Sequence, residues 1–407
     1  MSEDGPLAGL KVLDCGHFVS APYCTKLMAD MGAEVIKVEE PGKGDKSRDW
    51  GPFTGDIPHP ERSGLFLYLN TNKLDVTINL KNAIGKEIFY KLVKDVDILV
   101  ENNPPQLMAE LGLDYQTISK RNLHLIMTSI TPFGQSGPYR NYKASELVLV
   151  QMSGVGHGTP GEVEDISKEP PLKSRALEIG FMAGTAGAGA TMTALFARQA
   201  SGQGQHVDVS EQEAAAWVGM ANFAHYLYGY PNPVRDKRGR FPRAPMHDLP
   251  CKDGYVHLEC LEEHQWSEFV DLMGNPEWAQ NELFQSGQSR ANYWDALGPL
   301  VIELIKGWSK EDLSREAQAK GIPCTPVMIS KDLLSSEQLA ARGFFVAVDH
   351  PDAGKFLYPG APYQLSETPW KIRHPAPLLG EHNEEVFCQR LGYTREDLAR
   401  MRTMGAI

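Results

Sequence analysis

The chain has 407 residues, 42% hydrophobic and 23% charged, so it is long enough for two or three domains and too apolar to be disordered throughout. With 40 Lys and Arg against 52 Asp and Glu, the formal net charge of −12 excludes a general nucleic-acid binder; an anionic ligand must find a locally basic pocket. The six cysteines (Cys15, Cys24, Cys251, Cys260, Cys324 and Cys388) form no CxxC pair and no Cys/His cluster with zinc spacing, so reduced thiols and no metal site are expected. The acidic, polar start and the lack of an unbroken apolar run of ~18–20 residues lead us to expect a cytoplasmic protein without membrane attachment.

In chain order, Lys11–Cys15 reads as a strand, Ala21–Met31 as a helix and Glu34–Glu39 as a second strand. Ile84–Val93 has helical spacing, and Asp97–Val100 and Leu123–Ile130 read as further strands. Alternation of this kind predicts an α/β fold with a parallel sheet covered by helices on both faces. Gly180–Ala200 is rich in Gly and Ala yet ends in a helical pattern. Each glycine costs such a helix ~1 kcal/mol relative to alanine, so close approach of another backbone, at a domain or subunit contact, is expected to offset it. A turn at Ser201–Gln205 feeds a strand at His206–Val209, and Ser210 with Glu213 three residues on opens another helix.

Beyond Tyr230 the composition turns to Pro, Arg and Gly, with Arg238, Arg240 and Arg243 in a cationic linker pattern suited either to solvent or to an anionic partner. A strand near Tyr255–Leu261 and helices at Gln265–Met273, Tyr293–Gly307 and Lys310–Ala319 predict a smaller α+β domain. Short strands return after Ile322, and helices at Glu381–Leu391 and Thr394–Met401 close the chain. The expected division is 1–225 for the first part of a large domain, 226–325 for the linker and small domain, and 326–407 for the remainder of the large domain.

Several stretches, in order along the chain, resemble the class III CoA-transferases. They are Leu7–Asp14, Ala21–Thr25, Gly32–Glu39, Gly44-Asp45 with Arg48, Asn70–Lys73, Val100–Asn102, Phe133–Pro138, Gly202–Gln205 and Leu379–His382. The resemblance implies a Rossmann-like large domain formed by both chain ends, a smaller inserted domain, and two chains interlocked as rings. It also implies transfer of CoA between carboxylic acids, with CoA thioesters as substrates and no separate cofactor.

A carboxylate nucleophile conserves thioester energy by forming a mixed anhydride and then an enzyme-bound thioester. The family's nucleophile is an aspartate four residues before the glycine that corresponds to Gly184, which places Gly180 at its position. Glu178 and Glu146 are fallback carboxylates for a self-sufficient homodimeric transferase or isomerase. The racemase branch is disfavoured, because its histidine position holds Ser145. The resemblance further implies CoA contacts at His17, Lys73, Asn102 and Lys143. Where the resemblance implies an arginine that meets CoA phosphates the chain has Glu110, and Gln106 and Leu74 are further departures, so weak CoA binding is expected. Together these features lead us to expect a non-catalytic subunit paired with a homologous, aspartate-bearing catalytic subunit. Among heteromeric members it is most similar to aspartate-lacking subunits that serve succinyl-CoA and benzylsuccinate in anaerobic toluene breakdown.

Overall fold

The structure, a computed structural model, describes residues 5–161, 163–230, 235 and 245–407. Arg238, Arg240 and Arg243 lie outside the described residues. Six parallel strands form the central sheet in the order β3-β2-β1-β4-β5-β6: β1 (Lys11–Asp14), β2 (Glu34–Glu39), β3 (Lys73–Thr77), β4 (Ile98–Glu101), β5 (Ile126–Thr131) and β6 (His206–Ser210). The order reverses between β1 and β4, and ligands bind at such a switch point in open parallel sheets.

Alternate residues of each strand enter opposite cores, as a sheet covered on both faces requires. Leu13, Ile36, Leu99 and Met127 pack on one side with Phe89 of α3 (Ala83–Val93), Met108 of α4 (Pro105–Leu111) and Ile118 of α5 (Tyr115–Ile118). Val12, Val35, Ile98 and Ile126 pack on the other with Cys24 and Met28 of α1 (Ser20–Asp30) and with Ala183 and Ala188 of a long helix, Glu178–Ser201. Between these come α2 (Gly64–Leu69) and α6 (Glu146–Met152); the long helix is α7, and α8 (Glu211–Val218) follows β6 with Ser210 as its N-cap.

Gly180, Gly184 and Gly187 of α7 meet close neighbours within the chain, whereas a Cβ at Gly189 would meet open space. A Cβ at Gly184 would lie 2.6 Å from the Ser20 carbonyl oxygen, so α1 and α7 approach at backbone distance. By length and composition alone α7 could cross a bilayer, but its inner face packs on α1 and the sheet. In the turn before β6, a Cβ at Gly204 would stand 2.0 Å from the Leu125 carbonyl oxygen, which no side chain permits.

Two compact units result. The larger comprises Met1–Gly156, Lys173–Met220 and Ala341–Ile407; the smaller comprises His157–Leu172 and Ala221–Ala340. Both chain ends thus contribute to the larger unit, which also contains the hairpin β10 (Phe345–His350) and β11 (Gly354–Pro359). The smaller unit has an antiparallel sheet of β7 (Met246–Cys251), β8 (Gly254–Glu259) and β9 (Cys324–Pro326). Helices Glu263–Leu272, Trp294–Ile305 and Lys310–Ala319 supply Phe269, Leu297, Val301 and Leu313 to its core.

Candidate active site

The loop after β1 is held by paired polar contacts. Asn102, just beyond β4, accepts the His17 backbone N–H through Oδ1 at 2.9 Å and donates to the His17 carbonyl through Nδ2 at 2.7 Å. The same Nδ2 reaches the Ser20 hydroxyl at 3.1 Å. Asp45 accepts the Phe18 N–H at 2.9 Å, and its other oxygen meets Lys37 Nζ at 2.7 Å. Lys37 also donates to the Gly16 carbonyl at 3.1 Å. These buried charges define the loop geometry at the carboxyl edge of β1.

A wider network underlies that loop. Lys73 Nζ, fully buried, donates to Asp14 Oδ2 (2.9 Å), Asn70 Oδ1 (2.9 Å) and the Pro22 carbonyl (2.8 Å). Burial pushes the Lys73 ammonium down to about 8, with Asp14 opposing the shift. Arg48 grips Glu39 with two bonds of 2.7 and 2.9 Å. Burial opposes ionisation of Glu39, yet hydrogen bonds from Asp75 and Arg48 hold it down at about 2. The edge strand β3 is fastened from the chain's far end, because Asp75 accepts the Gly380 N–H at 2.6 Å and Thr77 N–H donates to Asn383 at 2.8 Å.

Above this network lies a cavity of about 500 Å³ whose lining includes Gly16, His17, Lys43, Lys46, Lys81 and Asn103. His17 Nε2 sits 3.2 Å from Lys46 Nζ, and burial first, then the Lys46 charge, lower the imidazole to about 4. The ring is therefore neutral at pH 7 and can accept from the ammonium. The lysines enter from the C-terminal ends of β2 and β3. Glu40, which pairs with Lys43 at 2.7 Å, and Asp49 also line the cavity, so Lys46 and Lys81 are the cations that suit an anionic, phosphate-bearing ligand.

Sequence reasoning looked elsewhere for these cations. Glu110 does not line the cavity, and Leu74 packs against the core. Gln106 lines a different cavity. Of the residues implied by resemblance, His17 lines the cavity and Asn102 shapes its wall. Lys73 is consumed by the buried network, and Lys143 is exposed outside the lining. Lys46→Glu and Lys81→Glu should each weaken binding of a CoA thioester by about tenfold or more, since each turns attraction for phosphate into repulsion. Calorimetric titration checks this, and unchanged affinity in both variants would assign the ligand elsewhere.

At the start of α7, Gly180 is closed. A Cβ there would stand 2.8 Å from Val19 Cγ1 and 2.9 Å from Val19 Cβ. Glu178, two residues earlier, is half-buried and accepts the Ser174 hydroxyl at 2.6 Å. Glu146 reaches across from α6: Oε1 accepts the Ile179 N–H at 2.8 Å, and the Gly180 N–H also bonds to this carboxylate. Burial raises Glu146 above the usual carboxylate range, with those two N–H groups opposing. Its anion occupies the helix N-terminus, where unpaired N–H groups favour negative charge.

One carboxyl group here escaped sequence reasoning. Glu211, at the first position of α8, is pushed up to about 7 by burial. The Ser20 hydroxyl bonds to it and opposes the shift, while the Glu146 charge adds to it. In the sequence it is merely an acid in a helix first turn, an ordinary placement with no catalytic signal. Among the described residues no group of three His, Cys, Asp or Glu side chains converges as a metal site.

The sequence matches the model of CoA-transferase family III over residues 7–383. It is 31% identical over 407 residues to a succinyl-CoA–D-citramalate CoA-transferase of Chloroflexus aurantiacus, covering 99% of this chain and 98% of that one. It is 32% identical over 398 residues to the BbsE subunit of succinyl-CoA:(R)-benzylsuccinate CoA-transferase of Thauera aromatica, covering 95% and 94% respectively. Among solved structures, a CaiB/BaiF family protein from Brucella suis matches with a TM-score of 0.85 and 28% identity, over 95% of this chain and 99% of that chain.

Proposed function

The chain belongs to CoA-transferase family III, and within it we propose that it is the non-catalytic subunit of a hetero-oligomeric enzyme, interlocked with a homologous subunit that carries the nucleophilic aspartate. The observation that carries this reading is the closed position at Gly180, packed on Val19 while Glu146 already takes the adjacent backbone N–H groups. A glycine has no nucleophile to offer, and Glu178 points to Ser174 instead.

In this reading the partner's aspartate attacks the donor thioester, giving an acyl anhydride and releasing CoA thiolate. The thiolate then attacks the anhydride, the donor acid leaves, and a CoA thioester remains on the aspartate. The acceptor carboxylate and returning thiolate repeat the two steps in reverse. We take succinyl-CoA as donor because both relatives named above carry it in their names. Similarity to the BbsE subunit favours benzylsuccinate, hence anaerobic toluene breakdown in the cytoplasm, as the acceptor's setting. The lysine-lined cavity supports retained CoA binding on this chain, and the role of the chain is to complete the assembly around the partner's site.

Co-expression with an aspartate-bearing homologue from the same organism tests the reading. A mixed assembly by native mass measurement, active only with both chains, is the expected result. Full transferase activity from this chain alone would overturn it.

A further inference from the structure

A second cavity, of about 430 Å³, is lined by other residues of α4, Gln106 and Met108 among them, and by the end of β4, Met127 and Ser129 within β5, and the start of β6. It lies within the larger unit, and the transfer reaction proposed above makes no use of it. Its size is within the range of small-molecule pockets.

An account of its polar groups shows what it lacks. Asp114 is satisfied, with its two oxygens taking the Thr117 N–H at 3.1 Å and hydroxyl at 2.8 Å. Both oxygens of Asp208 take the Gln135 N–H, at 3.0 and 3.1 Å. The buried Glu101 accepts the Asn103 N–H at 2.7 Å and bonds to Ser129, whose hydroxyl lies 2.9 Å from His206 Nε2. The carboxyl groups are thus all engaged.

Two of the lining side chains left over offer donors. Gln135 Nε2 is buried without a hydrogen-bond partner among the described residues. Arg140 is exposed and has no ion-pair partner among the described residues. An unpaired buried donor is costly, and a bound acceptor removes the cost. Beside them Tyr115 stacks on His206 with ring centroids 5.3 Å apart and planes 12° apart, giving the cavity one flat wall.

We propose that this cavity is a second binding site, separate from the lysine-lined one, for a small organic carboxylate held by Arg140 and the Gln135 amide against the Tyr115–His206 wall. A single guanidinium fork with one amide donor and an aromatic face suits a carboxylate with an apolar body better than a multiply charged phosphate. Of the two acids that line the cavity, Glu101 and Asp114, burial pushes Glu101 up to about 7, which reduces its repulsion of an anion. The site is independent of the reading of Gly180, which contributes nothing to it.

The test is titration of the purified protein, with any co-purifying partner retained, by succinate in the presence of saturating CoA. Saturable binding of one succinate per chain is expected. Arg140→Gln and Gln135→Leu should each weaken it by about tenfold or more, while Lys11→Met, at an exposed pair outside both cavities, leaves it unchanged. Since Arg140 is exposed, its variant should keep the wild-type melting temperature, so a loss of binding there is not unfolding. Binding unaffected by Arg140→Gln, no saturable binding up to tens of millimolar, or inorganic phosphate preferred to succinate would each overturn the proposal.

Discussion

Replacing Lys37 by Met should destabilise the larger unit by about 3–5 kcal/mol, because it strands carboxylates in the interior. Lys37 is fully buried; its ammonium lies 2.7 Å from Asp45 Oδ2 and 3.9 Å from Asp14 Oδ2. Burial would discharge it, yet Asp14 and Asp45 hold its ionisation range above the ordinary lysine value. Lys73 remains for Asp14, but among the described residues Asp45 has no second cation in contact. The Gly16 carbonyl loses its donor too, so the loop that bounds the lysine-lined cavity should loosen and CoA binding should fall with stability. The control is Lys11→Met, which breaks the exposed pair with Asp95 and should cost ~1 kcal/mol or less. Denaturant titration of both variants decides; equal losses would mean that the buried network contributes no more than a surface pair.

Introducing the missing side chain should not create a catalyst. Gly180→Asp is expected to give no transferase turnover by this chain alone and to destabilise it by about 1–3 kcal/mol through overpacking. The new Cβ meets Val19 at 2.8 Å, and its carboxylate would compete with Glu146 for the same N–H groups. Adding Val19→Ala should recover part of the stability without conferring activity, separating steric relief from chemistry. Melting curves with an activity assay report both quantities. Turnover by the single variant would show that the carboxylate alone was lacking.

Much of the larger unit was legible in the sequence because its strands obey simple patterning. Glu34–Glu39 reads as a strand and is one, since the apolar Val35, Ile36 and Val38 are bounded by clear helix and turn signals. By contrast β3 escaped the reading. Its sequence, Lys73-Leu74-Asp75-Val76-Thr77, carries two charges that look solvated, yet Lys73 and Asp75 are buried in the ion network. Buried charge is invisible to hydrophobic periodicity because its partners, Asp14 and Glu39, lie on other strands. Leu74, between Lys73 and Asp75 on the same strand, packs against the core. Lys43, Lys46 and Lys81 offered no motif either, for only the fold brings the ends of β2 and β3 to one cavity. The Gly/Ala helix was expected to pack closely on another backbone, and it does, but the backbone at Gly184 is α1 of the same chain.

The central claim, that chemistry resides on the partner's aspartate, is tested most directly by trapping the covalent intermediate. The assembled complex would be incubated with acyl-CoA donor, treated with hydroxylamine or borohydride, and digested for peptide mass spectrometry. The expected result is modification of one aspartate on the partner and none on this chain, with Glu178→Gln leaving the pattern and the rate unchanged. An adduct on Glu146, Glu178 or Glu211 would contradict the account and make this chain a catalyst with a relocated carboxylate.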